Sequence, residues 1–411
     1  MIKTEKLLRG RQIFFKKDAK KNSFGREYGG MFCGLDVYNG ALLEKLAMNT
    51  LFGKYPELRE SIPVRVLAAL PTPLEPLESL AKRAGAAGIW VKRDDLTSPV
   101  YGGNKVRKLS CLMAAALGHG ARTVITFGGA GSNHALATAL TASRLGLKCV
   151  SILGPQHNAR SVGRNLLAAH RAGACLCPCA WRETAAETRR RFWEAAKEDG
   201  VTPYVIPPGG SSPLGALGFV DAALELIAQA EAAGLPLPGT VYAASGTMGT
   251  CVGLALGFAL AGVPVRVEAV RVTTSPYTSE GHARALFRAA NHWLHDADET
   301  VPLVPFPGDS FRIRDDFFGK EYALYTPESA EAVARARGEW GLSLEGTYTG
   351  KTFAALLHDA ETGAVRGESL VFWNTHNSRD LSPLTAGADY HELPVPLHRY
   401  FEEPVQPLDR G

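Results

Sequence analysis

Short β-rich runs alternate with helical stretches along most of this chain, and that alternation constrains its fold more than any other feature. A strand, a helix and a further strand in this order pack as a parallel pair covered by the helix. We therefore expect an α/β fold with parallel-rich twisted sheets flanked by helices. The predicted strands are Gly88–Lys92, Thr123–Phe127, Cys149–Leu153, Tyr204–Ile206, Val241–Ala244, Val265–Arg271 and Leu370–Trp373. The predicted helices are Lys105–Leu117, Asn133–Leu145, Val162–Ala172, Leu217–Ala233 and Gly249–Ala261.

The order of these elements divides the 411 residues into three segments. Residues 104–205 form one compact run of βα units, which predicts a small domain. Residues 62–103 together with 206–411 then form a large domain, so the chain crosses between the domains twice. Residues 1–61 are expected to be an N-terminal extension that is partly disordered. An interaction segment or a later start codon, at Met31 or Met48, are the alternatives for this extension.

The charge of the chain is concentrated at its beginning. The net charge is +4, and residues 1–60 hold 12 basic against 7 acidic side chains, so the remainder is close to neutral. A nucleic-acid-binding domain needs a basic face, and we therefore expect no nucleic-acid partner. We also expect no membrane span, since no apolar run is long enough, and no signal peptide. Together these features predict a cytoplasmic protein.

Seven cysteines in a chain of this type are expected to be reduced thiols. Three of them alternate in Cys175-Leu-Cys-Pro-Cys179, which suits a short strand with its cysteines on one face. The alternative is a metal or redox site. The one-residue spacing lacks the second Cys or His pair of a structural zinc site, so we predict no metal.

Lys105 follows two glycines in Tyr101-Gly-Gly-Asn-Lys-Val-Arg-Lys-Leu109, where a loop becomes an apolar-periodic helix. The backbone at such a junction is rigid, and a lysine amine held there is suited to forming an imine with an aldehyde. A helix lysine without a chemical role would look the same from this local pattern. Lys108, three positions later, lies near the same helical face, and a solvated helix lysine is its alternative.

Two glycine-rich turns each follow a strand and open a helix. Gly128-Gly-Ala-Gly-Ser-Asn-His134 brings backbone close to any ligand and presents helix N-terminal amides to an anion, although Ser132 or Asn133 serves equally as an N-cap. Ser245-Gly-Thr-Met-Gly-Thr250 combines glycines with small hydroxyls, which predicts a cradle for a single phosphate. An ordinary tight turn is the alternative, and the lysine of an ATP-binding loop is absent.

The combination of this lysine, the Ser-Asn-His turn and the phosphate loop resembles the fold-type II pyridoxal-phosphate enzymes. Within them the chain is similar to the D-cysteine desulfhydrase and 1-aminocyclopropane-1-carboxylate deaminase family. The resemblance covers roughly residues 62–380 and implies a two-domain fold like that of the tryptophan synthase β subunit. The stretches that carry it are Leu70–Leu74, Val91–Asp95, Gly102–Lys108, Pro208–Gly215, Asp315–Phe318 with Tyr322, and Tyr348–Lys351.

The resemblance also implies the role of each site residue. Lys105 would hold pyridoxal 5′-phosphate through an imine, Asn133 would donate to its phenolic oxygen, and Thr375 would reach its pyridine nitrogen. The implied cofactor-binding residues are Lys105, Asn133, Ser245, Gly246, Thr247, Met248, Gly249, Thr250 and Thr375. The implied catalytic residues are Lys105, Ser132, Tyr322 and Tyr348. The implied substrate-binding residues are Ser132, His134 and Thr349. For Tyr322, packing of an aromatic side chain on a loop is the alternative.

Several departures from the family pattern lie on the substrate side. Thr349 stands where the deaminase branch has a glutamate, and residues 374–377 read Asn-Thr-His-Asn where relatives usually have His-Thr-Gly-Gly. Tyr322 has lost its flanking glycines, and Gly131 replaces a glutamine. A hydroxyl at position 349 makes a weaker partner for the pyridine nitrogen than a carboxylate does. Thr349 therefore favours β-elimination over opening of a cyclopropane ring.

We therefore expect a pyridoxal-phosphate-dependent lyase or deaminase that removes a β-substituent, such as sulfide, from a small D-cysteine-like amino acid and releases a keto acid and ammonia. The alternatives are a 1-aminocyclopropane-1-carboxylate deaminase and a protein that binds or senses the cofactor without catalysis. The family resemblance also implies a homodimer.

Overall fold

The computed structural model of the protein describes residues 48–409, in which strands and helices alternate as an α/β fold. The strands are β1 (Leu74–Pro76), β2 (Gly88–Lys92), β3 (Thr123–Gly129), β4 (Lys148–Gly154), β5 (Cys175–Pro178), β6 (Tyr204–Val205), β7 (Thr240–Ser245), β8 (Arg266–Arg271), β9 (Phe311–Arg314) and β10 (Ser369–Trp373). The helices are α1 (Asn49–Lys54), α2 (Leu58–Ser61), α3 (Glu78–Ala84), α4 (Lys105–Gly118), α5 (Asn133–Arg144), α6 (Arg160–Arg171), α7 (Thr184–Asp199), α8 (Pro213–Ala232), α9 (Gly249–Ala261), α10 (Glu280–Ala297), α11 (Pro327–Trp340), α12 (Thr349–Glu361), α13 (Ser382–Thr385) and α14 (Arg399–Glu402).

These strands form two sheets. The larger is six-stranded in the order β1-β2-β10-β7-β8-β9, and the smaller is four-stranded in the order β5-β4-β3-β6. Strand β1 pairs antiparallel with β2, while all other pairs are parallel. The predicted α/β class with parallel-rich sheets is confirmed. Since all strands other than β1 point the same way within their sheet, their carboxyl ends lie at one edge of each sheet, and the two glycine-rich turns follow β3 and β7 there.

The predicted strands and helices all form, with ends that differ by a few residues. The prediction left out two edge strands, β1 and β9, which are only three and four residues long. It also left out α7 and helices α10 to α12. Helix α7 carries many charges and buries only Ala195 and Asp199, so its apolar periodicity is weak.

The predicted division into domains stays a prediction. All four strands of the smaller sheet lie between residues 123 and 205, within the segment assigned to the small domain. In the segment assigned to the N-terminal extension, residues 1–47 lie outside the described residues. Helices α1 and α2 follow them, and Leu51, Phe52 and Leu58 pack into the core against α8 and α10.

Helix α8 is the central helix of the larger core. Its 20 residues are long and apolar enough to cross a membrane, but 78% of its apolar window is buried inside the protein. It packs against α9, where Gly253 and Gly257 allow close approach: a Cβ atom at Gly253 would lie 2.4 Å from the carbonyl oxygen of Ala216. This burial is that of a core helix in a folded α/β domain.

The alternating cysteines do lie on a strand, as predicted, since Cys175 and Cys177 belong to β5. Their sulfur atoms are 3.7 Å apart on one face, with Cys175 exposed and Cys177 buried. Between residues 48 and 409, no group of three or more His, Cys, Asp or Glu side chains is placed to hold a metal ion. The metal alternative for these cysteines therefore has no ligand set within that range.

A buried cluster of charges fixes helix α4 to the larger sheet. The Arg107 guanidinium donates to both carboxylate oxygens of Asp94, at 2.8 and 2.9 Å, and to both oxygens of Glu225, at 3.0 Å. Lys92 completes the cluster through its ammonium contact with Glu225. Burial alone would raise the pKa of Glu225, but the charges of Arg107 and Lys92 lower it to about 2. Helix α4 is thus held by one arginine that bridges the turn after β2 and helix α8, while Lys92 links β2 to the same glutamate.

Replacing Arg107 by methionine should lower the free energy of unfolding by about 3–5 kcal/mol, because Asp94 and Glu225 would then lose their shared buried cation. Urea unfolding of the cofactor-free protein measures this loss. The control is Arg190→Met, which removes exposed ion pairs on α7 and should change the midpoint little. Equal midpoints for the two variants would contradict the anchoring role of Arg107.

Candidate functional site

The loop Tyr101–Asn104 draws together the chain segments that carry the predicted site residues. The Tyr101 hydroxyl donates to the carbonyl oxygen of Asn133 at 2.9 Å. The Asn104 side chain donates to the Thr250 hydroxyl at 2.9 Å, and its backbone N–H donates to the carbonyl oxygen of Thr375 at 3.3 Å. The Ser-Asn-His turn, the phosphate loop and the turn after β10 therefore all contact the loop that precedes Lys105.

Two glycines are needed for this close approach. A Cβ atom at Gly102 would lie 1.9 Å from the carbonyl oxygen of Asp95, and Gly103 has a φ of 91° in the region that favours glycine. Asn377 strengthens the arrangement, since its Oδ1 accepts the Gly102 N–H at 2.7 Å. The departure from the family pattern at Asn377 thus supports the lysine loop.

Lys105 is the first residue of α4, which fixes its backbone at the head of the anchored helix. Burial lowers the pKa of its amine to about 8, while the charges of Cys251 and Glu345 act in the opposite direction. A lysine with this pKa is substantially neutral at slightly alkaline pH, and only a neutral amine attacks a carbonyl or accepts a proton. Its setting suits an imine-forming residue.

Hydroxyl groups fix the orientation of the peptide between Gly246 and Thr247 in the loop Ser245–Thr250. The Gly246 carbonyl oxygen accepts the hydroxyls of Thr273 and Thr278, at 2.9 and 2.6 Å. Because a trans peptide points its N–H opposite to its carbonyl, the N–H of Thr247 faces away from these hydroxyls. Met248 holds a φ of 66°, a strained conformation for a residue with a side chain, and α9 begins at the next residue. This geometry fits the predicted phosphate cradle.

Lys108 lies beside this loop, and the alternative of a solvated helix lysine is wrong. Its side chain is buried, and its ammonium lies 3.2 Å from both the Gly209 carbonyl oxygen and the Ser211 hydroxyl. A Cβ atom at Gly249 would lie 2.9 Å from the same nitrogen. Burial and the charge of Lys105 lower the pKa of Lys108 well below its usual value. A phosphate dianion in the cradle would restore the favourable environment for its proton.

The Ser-Asn-His turn opens α5. Ser132 caps the helix by accepting the Ala135 N–H at 3.2 Å. The Asn133 Oδ1 accepts from Asn165 at 3.1 Å, which leaves its own amide hydrogens free to donate. His134 is buried, and neither ring nitrogen makes a well-formed hydrogen bond with the described residues, although the Pro207 backbone lies close enough to act on the ring. Burial and the nearby charges of Lys105 and Lys108 lower its pKa well below the usual value, so the ring is neutral. Buried ring nitrogens without a well-formed hydrogen bond are costly and indicate a ligand beside them.

Two tyrosines face each other across the site. The hydroxyls of Tyr322 and Tyr348 are 2.5 Å apart, and burial is the first cause that raises both pKa values. Both hydroxyls therefore stay protonated near neutral pH and can act as donors. Tyr322 comes from the loop after β9 and Tyr348 from the N-terminus of α12.

Glu345 positions Tyr348, and sequence reasoning missed it. Its carboxylate accepts the N–H groups of Thr347, Tyr348 and Thr349, at 2.9, 2.7 and 3.0 Å. The Thr349 hydroxyl in turn accepts the Glu345 N–H at 3.1 Å. A glutamate four residues before a threonine at a helix start was the available signal for this reciprocal cap. Since the Thr349 hydroxyl is engaged here, its predicted contact with substrate stays a prediction.

The structure thus assembles the cofactor side more completely than the substrate side. Lys105, Asn133, the loop Ser245–Thr250 and Thr375 converge on the loop Tyr101–Asn104, while the Lys108 amine lies near the loop Ser245–Thr250. His376, which the family pattern does not predict, is buried and donates its N–H to Asn374 Oδ1 at 3.2 Å. The buried ring of His134, the lowered pKa of Lys105 and the loop Ser245–Thr250 together fit a phosphorylated aldehyde cofactor.

Comparison with known proteins agrees with this fit. Residues 66–375 match the model of the pyridoxal-phosphate dependent enzyme family. A nocardicin C-9′ epimerase of Nocardia uniformis subsp. tsuyamanensis is 35% identical over 349 residues, which are 83% of this chain and 99% of the relative. A D-cysteine desulfhydrase of Yersinia enterocolitica is 34% identical over 310 residues, 74% of this chain and 89% of the relative.

A solved structure gives the same result. The crystal structure of a 1-aminocyclopropane-1-carboxylate deaminase homologue superposes with a TM-score of 0.66 at 28% identity, and the match covers 86% of this chain and 99% of that one. The fold, the family match and these relatives agree on a pyridoxal-phosphate enzyme. The chain therefore belongs to the pyridoxal-phosphate dependent enzymes, among the D-cysteine desulfhydrases and 1-aminocyclopropane-1-carboxylate deaminases, and pyridoxal 5′-phosphate is its cofactor.

Proposed function

We propose that this enzyme eliminates a β-substituent from a small amino acid of the D-cysteine type and releases a keto acid, ammonia and the leaving group. The observation that carries the proposal is the anchored Lys105, whose pKa is lowered to about 8, beside a loop that fits a phosphate, with the Tyr322–Tyr348 pair nearby. The D-cysteine desulfhydrase of Yersinia enterocolitica supports the choice of substrate class. With D-cysteine, one water is consumed and pyruvate, ammonia and hydrogen sulfide are formed.

Each residue has a defined task in this proposal. When bound, pyridoxal phosphate supplies an aldehyde for amines and a ring that withdraws electrons from the substrate α-carbon. Lys105 would hold the cofactor, and its amine, once displaced by the substrate amine, would take the α-proton. Asn133 would donate to the phenolic oxygen, Thr375 would contact the pyridine nitrogen, and the loop Ser245–Thr250 with Lys108 would bind the phosphate.

The remaining residues would act on the substrate. Ser132 and His134, at the N-terminus of α5, would bind its carboxylate, because helix amides and neutral donors favour an anion there. Tyr322 and Tyr348 stay protonated, so their hydroxyl pair would donate a proton to the departing β-group. Thr349 offers no carboxylate to the pyridine ring, and that of Glu345 is occupied by backbone N–H groups. This favours β-elimination over ring opening.

A second candidate is epimerisation at the α-carbon. The nocardicin C-9′ epimerase matches this chain over 99% of its own length at 35% identity. Epimerisation begins with the same proton removal but returns a proton to the opposite face, which requires an acid there. The protonated hydroxyl pair of Tyr322 and Tyr348 would serve as that acid. The homodimer, which the family resemblance implies, and the cytoplasmic location, which the sequence composition predicts, remain predictions.

The pKa of Lys105 predicts how cofactor attachment depends on pH. The rate of covalent attachment of pyridoxal phosphate to the cofactor-free protein should rise about tenfold per pH unit at low pH, as the neutral amine fraction grows. It should level off above about pH 8, where Lys105 is mostly deprotonated. Stopped-flow absorbance measures the rate, and Lys105→Ala is the blank. A rate that keeps rising to pH 10, as for an ordinary lysine, would contradict the perturbed pKa.

Lys108 should bind the phosphate of the cofactor. Lys108→Met should weaken binding of pyridoxal phosphate about 10- to 100-fold, the value of a hydrogen bond to a charged group, and should leave binding of pyridoxal unchanged. Equilibrium dialysis measures both affinities. Lys197→Met, which changes an exposed lysine of α7, is the matched control. An equal loss for both compounds would place Lys108 outside the phosphate site.

A substrate screen tests the proposed reaction. Among D- and L-amino acids, those with a β-leaving group, and D-cysteine first, should release keto acid and ammonia faster than 1-aminocyclopropane-1-carboxylate does. Coupled assays for the keto acid and for sulfide measure the rates, with Lys105→Ala as the blank. Faster ring opening would instead identify the deaminase. Inversion of configuration without keto acid, measured by chiral chromatography, would identify the epimerase.

A further inference from the structure

Gln156 and Tyr322 come from different parts of the chain and meet beside the Ser-Asn-His turn. Gln156 lies in the loop after β4, and its Oε1 accepts the Gly131 N–H at 2.9 Å. A Cβ atom at Gly129 would lie 2.4 Å from the same oxygen and 3.2 Å from Cε1 of Tyr322. The two side chains therefore border the turn that presents Ser132.

The Gln156 amide fills the space that a side chain at position 131 would need. A Cβ atom at Gly131 would lie 2.7 Å from Cγ2 of Val162 and 3.1 Å from Nε2 of Gln156. That Nε2 lies 3.5 Å from the His157 carbonyl oxygen, at the long limit of a hydrogen bond. Its N–H groups therefore remain good donors for an oxygen of a bound molecule.

The C-terminal segment, residues 403–409, makes hydrogen bonds to two loops: the loop after β4, which carries Gln156, and the loop after β9, which carries Tyr322. Gln406 is 91% buried, its Oε1 accepts the Tyr325 N–H at 2.7 Å, and its Nε2 donates to the Ala323 carbonyl oxygen at 3.0 Å. The Gln406 backbone N–H donates to the Asn158 carbonyl oxygen at 3.0 Å. Gln406 thus bonds to two residues that closely follow Tyr322 and to the loop that carries Gln156.

Further contacts fix the same pair of loops. The Asn158 side chain donates to the Glu403 carbonyl oxygen at 2.8 Å, and the Gln156 N–H donates to the Tyr400 hydroxyl at 3.1 Å. His157 and Glu321, one from each loop, are 2.7 Å apart. The family match ends at residue 375, so the C-terminal segment, residues 403–409, lies outside the matched region.

We propose that Gln156 is a specificity-determining residue that donates its amide hydrogens to the carboxylate of the substrate. We propose further that Gln406 is a positioning residue, which holds Gln156 and Tyr322 at their distance. The carboxylate is the expected acceptor because Gln156 lies beside the N-terminus of α5, where Ser132 and the helix amides favour an anion. A donor from outside the helix adds a hydrogen bond that an amine without a carboxylate cannot use.

The inference rests on the proposed function only in taking an amino acid as the ligand, and its test does not require turnover. Both enantiomers of alanine carry an amine and a carboxylate but no β-leaving group, and ethylamine lacks the carboxylate. Titration of the holoenzyme with each compound, followed by the visible absorbance of the bound cofactor, gives three affinities. A holoenzyme that binds alanine without eliminating from D-cysteine would overturn the proposed function and leave this test intact.

Gln156→Glu keeps the acceptor for the Gly131 N–H but replaces the donor by a negative charge. It should weaken binding of the tighter alanine enantiomer by at least about tenfold and should not weaken ethylamine binding. Gln156→Leu removes the donor without adding charge and should show a smaller loss in the same direction. Alanine affinity that is unchanged in both variants overturns the carboxylate contact.

Gln406→Ala should weaken alanine binding about tenfold, since the Gln156 donor is then less well placed, and should raise KM for the reacting substrate more than it lowers kcat. Hydrogen exchange should quicken in residues 155–159 and 321–325. Gln406→Glu, which keeps the acceptor but loses the donor to Ala323, should show the same pattern if the alanine variant folds poorly. Pro407→Ala, at an exposed neighbour, is the matched control. Faster exchange confined to residues 403–409, with alanine affinity unchanged, overturns the positioning role.

Discussion

The anchoring of helix α4 is the constraint on which the rest of the site depends. An imine-forming lysine must be neutral, which requires burial, and must not move, which requires a fixed backbone. Arg107 supplies the second condition two residues after Lys105, through four hydrogen bonds to the carboxylates of Asp94 and Glu225. Breaking such a buried pair is costly, so helix α4 cannot shift without a large loss of stability. The loop Tyr101–Asn104 transmits this rigidity to the segments that it contacts.

The sequence was sufficient for the parts of the fold that follow from local patterns. The strands of both sheet interiors and the helices after the glycine-rich turns were predicted, because apolar periodicity and turn residues are local signals. The short edge strands β1 and β9 were not predicted, although the short edge strand β6 was. Helix α7 was not predicted because its surface is mostly exposed and charged, so its sequence lacks the apolar periodicity of the buried helices.

The candidate site divides in the same way. Lys105 and the loop Ser245–Thr250 belong to local sequence motifs and were predicted from them. Their assigned roles remain predictions. The burial of Lys108 could not be predicted from the sequence, because it depends on Gly209 and Ser211, which are more than 100 residues away. Gln406 carried no signal at all, since its contacts with Ala323 and Asn158 arise only when three distant segments meet. The substrate side is built from such long-range contacts, which explains why the motifs say little about it.

The central claim is that Lys105 removes the α-proton of an amino acid. The direct measurement is exchange of the alanine α-proton with deuterated solvent, followed by NMR, because alanine has no β-leaving group and reports proton removal alone. We expect the holoenzyme to exchange the α-proton of one enantiomer and Lys105→Ala, supplied with pyridoxal phosphate, to lose this exchange. Exchange that persists in the variant, or that is absent from a holoenzyme which binds alanine, would contradict the account.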